Sequence, residues 1–180
     1  MIRINAAIPL LVIASIVSAI SATGQSHRHL HEQLEFSAED ESVKRPIPVP
    51  ADVLALLEQD DRVKHLLDDE SLSLDKAPTS WFSTSVVHLG GPEEIDYIIM
   101  GEDHLRGANV VPFWVFMRRR DGLQIVLFTG AHDLSILRRR FKGYKTIEAL
   151  SVGIQRVDTR RFRFDGEQYK LYRESDEPIR

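Results

Sequence analysis

The chain has 180 residues, 43% hydrophobic and 28% charged, with a formal net charge of −4 and no cysteine. That length fits a single domain with a tail and can bury a core without staples. The lack of cysteine excludes disulfides, thiol catalysis, zinc–thiolate and iron–sulfur centres, and lipid attachment at a cysteine.

Residues 1–24 have the layout of a secretory signal peptide. Arg3 gives a basic start, 8–17 (IPLLVIASIV) is an uncharged apolar run, and Ser18, Ala19, Ser21, Ala22, Thr23 and Gly24 form a small-residue exit. Cleavage is expected after Gly24, with Ala19 as the alternative, and the mature protein is expected in the periplasm or beyond. An uncleaved anchor is the competing reading, because residues 4–22 approach the roughly 20 needed to span a bilayer. Asn5, Pro9 and the interspersed serines dilute that run. Residues 25–50 read as a flexible linker, polar and ending in PIPVP, whose prolines cannot donate to a ladder. In an extended chain His27, His29 and His31 would face one way and could share a soft divalent ion. The plainer reading is a flexible polar tail, since a disordered site loses ordering entropy on binding, and neither metal nor cofactor is expected.

A helix is expected over 51–59, with Pro50 at its start and Val53, Leu54, Leu56 and Leu57 as its apolar stripe. Asp60 or Asp61 can cap a second helix to about residue 69, carrying Val63, Leu66 and Leu67. From Trp81 the pattern changes to strands, expected at 83–89, 95–100, 112–119, 123–129, 133–137, 146–152, 159–164 and 168–173. The fifth also fits a helical turn through Leu134, Leu137 and Phe141. Asp121-Gly122 and Asp165-Gly166 are hairpin signals. Phe113, Val115 and Met117 alternate with Trp114, Phe116 and Arg118, and Leu123, Ile125 and Leu127 with Gln124, Val126 and Phe128, so this hairpin should be covered on both faces. Phe162 and Phe164 alternate with Arg161 and Arg163, so the last hairpin should meet water on one face. The expected fold is one α+β domain over 51–175. A short N-terminal helical region packs on an antiparallel meander of about seven or eight strands, as a curled sheet or sandwich.

Charge is segregated along the chain. Residues 25–105 carry a net −12 and residues 106–173 a net +9. The bland consequence is that the acidic part lies against the basic part. The sharper one is a basic surface for an anionic partner, with Arg118, Arg119 and Arg120 and Arg138, Arg139 and Arg140 as its binding residues. Lys142, Arg160, Arg161 and Arg163 would join them in one rim. An anionic protein, lipid or polysaccharide fits an exported chain, and nucleic acid does not. Glu102, Asp103 and His104 follow one strand, and His132 and Asp133 follow another. If those loops met, a histidine–carboxylate pair could act as acid and base. Turn chemistry explains the same residues more simply. No G-x-S-x-G, H-E-x-x-H, phosphate loop or G-x-G-x-x-G is present.

The series SWF, EIDYIIMG, GANVVPFWVF, LFTGAHDL, GY and RFDGEQYKLYRE over residues 80–174 resembles a group of uncharacterised exported bacterial β-rich proteins. The resemblance implies export, a β-rich fold and a terminal hairpin at FDG-x-x-Y. It carries over no activity and no catalytic residue. The expected function is therefore that of an exported, non-catalytic binding or accessory protein. The alternatives are a small periplasmic hydrolase using His104 or His132, and a structural envelope protein tethered by an uncleaved signal helix.

Overall fold

The structure, a computed structural model, describes residues 32–69 and 74–179. The expected signal peptide and the His27, His29 and His31 triplet lie outside the described residues. Among those described, no helix is long and apolar enough to cross a membrane.

Among the described residues, nine strands form two antiparallel sheets. The four-stranded sheet has the order β2 (Phe82–Val87), β3 (Asp96–Gly101), β4 (Val111–Arg119), β5 (Gly122–Ala131). The five-stranded sheet has the order β1 (Glu35–Ser37), β6 (Asp133–Phe141), β7 (Tyr144–Val152), β8 (Arg156–Phe164), β9 (Tyr169–Pro178). From β2 to β9 each strand leads locally into the next. The chain changes sheet at a corner between Ala131 and Asp133, which folds the meander onto itself. The segment 133–137 is thus a strand, extended to Phe141, and not a helical turn.

Two apolar layers hold the strands. Between the sheets lie Ile98, Met100, Phe113, Val115, Met117, Leu134, Ile136, Ile147, Phe162 and Phe164. The opposite face of the four-stranded sheet presents Tyr97, Ile99, Trp114 and Phe116 to Val53, Leu57 and Val63 of helices α1 (Ala51–Leu57) and α2 (Asp61–Leu67). The central hairpin is therefore covered on both faces, which explains why both faces are apolar. Neither seven-residue helix is long enough to stand alone in water, so burial of these side chains is what maintains them. Asp60 caps α2 through the Arg62 backbone N–H, at 3.0 Å, and accepts from Trp114 Nε1 at 3.2 Å.

Strict alternation fails in β5. Val115 pairs with Leu127 but Phe116 with Ile125, so Val126 is bulged. Leu123, Ile125 and Phe128 consequently join the helix-side layer, while Val126 and Leu127 face the other sheet. The β6–β7 turn is Lys142-Gly143, with φ of 51° and 88°. Both residues sit in the left-handed region that a two-residue primed hairpin turn needs.

The linker expected over 25–50 is corrected for its described part, because residues 32–50 belong to the fold. β1 pairs with β6, and Phe36 and Val43 are buried in the layer between the sheets. Glu32 accepts from the His88 backbone N–H at 2.6 Å and pairs with Lys145 Nζ. Arg106 donates to the Ala38 and Asp40 carbonyls and to Glu102 Oε2. Ile47 N–H donates to the Thr84 carbonyl at 3.0 Å, which covers part of the β2 edge.

Candidate functional site

Val111 and Arg119 are opposite ends of β4, and the candidate residues divide between those two ends. At the Arg119 end the β2–β3 loop and the β4–β5, β6–β7 and β8–β9 turns come together. They border an open groove of about 1070 Å³ lined by Arg118, Arg119 and Arg120 with Glu94, Asp121, Tyr144 and Glu167.

The arginines there do different jobs. Arg118 Nη2 donates to Asp52 Oδ2 at 2.7 Å, joining the sheet to α1. The Arg118 hydrogen bond holds the Asp52 carboxyl below its ordinary range. Arg140 Nη1 donates to the carbonyls of Leu89, Gly90 and Gly143, so it ties the β2–β3 loop to the β6–β7 turn. Arg119 lies over the Phe164 ring at 5.4 Å from its centroid. Arg138 and Arg139 are exposed on β6, where the ladder skips from Leu137 to Arg140. Among the described residues no carboxylate pairs with Arg119, Arg120, Arg138 or Arg139. The expected single rim is thus corrected. Arg160 turns to the Gly130 carbonyl, at 2.7 Å, near the corner at the far end, and Arg161 pairs with Glu148. Arg163 stacks on Tyr172 at 3.7 Å and on Phe141 at 4.9 Å. That aromatic support was not foreseen, because the three residues come from different strands.

Asp96 is the other surprise at this end. It is fully buried, and its Oδ2 accepts from the Leu89 backbone N–H at 2.9 Å. Burial pushes the carboxyl above its ordinary value. The folded state then holds this proton more tightly than the unfolded chain does. The group costs nothing below the ordinary carboxylate range, and its penalty grows as pH rises through the raised folded value. Asp96→Asn keeps an acceptor for Leu89 and removes the charge. Its unfolding free energy, followed by urea titration from acid to neutral pH, is expected to gain on the parent as pH rises. A constant difference would show that burial does not raise the Asp96 carboxyl above its ordinary value.

The candidate histidines His104 and His132 lie at the opposite end. Val111 pairs with Ala131, so the β3–β4 connection bearing His104 and the corner bearing His132 leave on the same side. Each histidine has the acid beside it in sequence as its ion-pair partner. His104 is half exposed, edge-on to Trp81 at 5.7 Å, with Asp103 at 4.0 Å. His132 Nδ1 is 3.2 Å from Asp133 Oδ1. Glu102 faces Arg106 at 2.8 Å and not a histidine. No three His, Asp or Glu side chains among the described residues gather as a metal site. No protein family, curated protein or solved structure matches this chain.

Proposed function

We propose that the protein is an exported, non-catalytic binding module that recognises an anionic partner through the arginines at the groove end of the sandwich. One observation carries this reading. Of the six arginines in the two triplets, Arg118 and Arg140 are engaged within the fold, while Arg119, Arg120, Arg138 and Arg139 have no carboxylate partner among the described residues. Guanidinium groups without an internal acid keep their paired donors for a carboxylate or phosphate. Stacking on an aromatic ring, as for Arg119, limits the freedom lost on binding.

The test separates the two classes of arginine. Polygalacturonate and vesicles containing an anionic phospholipid serve as probes, each titrated against purified protein at rising salt. Replacement of Arg119, Arg120, Arg138 and Arg139 by Ser is expected to weaken polyanion binding by about tenfold or more and to leave the unfolding midpoint unchanged. Arg140→Ser is expected to lower stability instead, by about 1–3 kcal/mol, because three carbonyls lose their donor. Equal binding by the fourfold variant, or no parent binding at low salt, overturns the proposal.

A further inference from the structure

We infer that strand β9 is a self-association edge, and that two copies of this chain pair antiparallel along it to make one continuous ten-stranded sheet. The inference is independent of the binding reading above. It rests first on how the fold treats its edges. A strand hydrogen-bonded on one side only exposes a row of donors and acceptors, and proteins normally shorten or cover such strands. The β2 edge is bridged by Ile47, and β1 is three residues long. β5 is an outer strand of its sheet, but it lies at the corner where the chain passes into the second sheet. β9 runs ten residues with one bulge at Tyr172, pairs with β8 alone, and is covered by no other strand or helix among the described residues.

Charge is the second argument. Guarded edges carry charges that repel a second copy. On β9 the signs are sorted along the strand, Lys170 and Arg173 in the first half, Glu174, Asp176 and Glu177 in the second. All five side chains are exposed. A two-fold axis perpendicular to the sheet reverses the partner strand and so sets each basic half against an acidic half. The same sequence paired in parallel would set like against like. Leu171, 49% exposed, is the most exposed large apolar residue within any strand and would lose water in such a pair. An isologous two-fold contact is also the commonest way for a chain to close an assembly.

The mass of the purified protein by sedimentation equilibrium tests the idea. A dimer at micromolar concentration, weakened by high salt, is expected. Lys170→Glu with Arg173→Glu makes the edge wholly acidic, and Glu174→Lys with Glu177→Lys makes it predominantly basic, with Asp176 the one acid left. Each double variant is expected to self-associate about tenfold or more weakly, and an equimolar mixture of the two is expected to restore the dimer. A monomeric parent, or double variants that dimerise as the parent does, overturns the inference. Hydrogen exchange gives a reading without variants. Amides on the outer side of β9 are expected to gain protection as parent concentration rises, and concentration-independent exchange there overturns the inference equally.

Discussion

Trp114→Ala is expected to lower the unfolding free energy by about 3–5 kcal/mol, the range for removing a fully buried large aromatic side chain. Trp114 is fully buried in the layer between the four-stranded sheet and the helices. Its ring meets Phe82 at 6.2 Å and Phe128 at 5.3 Å, and its Nε1 donates to the Asp60 residue that caps α2. With Tyr97, Ile99 and Phe116 it forms the floor on which two short helices rest. The loss should combine the apolar term with partial release of α2. Trp114→Phe separates the two contributions. It keeps a ring in the layer and removes the indole donor, so a smaller loss of about 1–2 kcal/mol is expected. Urea titration of both variants reads the difference, and a Trp114→Ala loss under about 1 kcal/mol would mean that the helical layer contributes little to the fold.

The sequence carried the central hairpin almost completely, because its signal is local. Two-sided apolar alternation over β4 states both that it is a strand and that something covers each face. The Asp165 turn was legible for the same reason. Its side chain accepts from Glu167 and Gln168 backbone N–H groups at 2.8 and 2.9 Å, an interaction within four residues. What escaped depends on distant partners. Glu35–Ser37 is a strand only because β6 offers an edge, and nothing in EFS announces that edge. The Val126 bulge is set by the fit of two sheets, not by the composition of β5. The arginine triplets were visible as charge, but the division into structural and free guanidinium groups follows from Asp52 and from the carbonyls of Leu89 and Gly90, each tens of residues away. Asp96 reads in EIDYIIM as one acid beside another, Glu94, and only its depth in the sandwich makes it costly.

The second large effect separates a fold element from a tether. Were residues 32–50 a flexible spacer, no single side chain there would matter to stability. Phe36 is 2% exposed, packed in the layer between the sheets, and its strand closes the β6 edge of the five-stranded sheet. Phe36→Ala is therefore expected to cost about 3–5 kcal/mol. Phe36→Leu, which keeps most of the apolar volume, is expected to cost less than about 1.5 kcal/mol. Exposed Glu39, three residues further on, provides the control, and Glu39→Ala is expected to fall within about 0.5 kcal/mol of the parent. Denaturant midpoints of the three variants decide the matter. Equal midpoints for Phe36→Ala and Glu39→Ala would return the segment to the role of a spacer. A large loss at Phe36 alone places the boundary of the folded unit at or before Phe36, in line with the Glu32–Lys145 ion pair that holds the chain against β7.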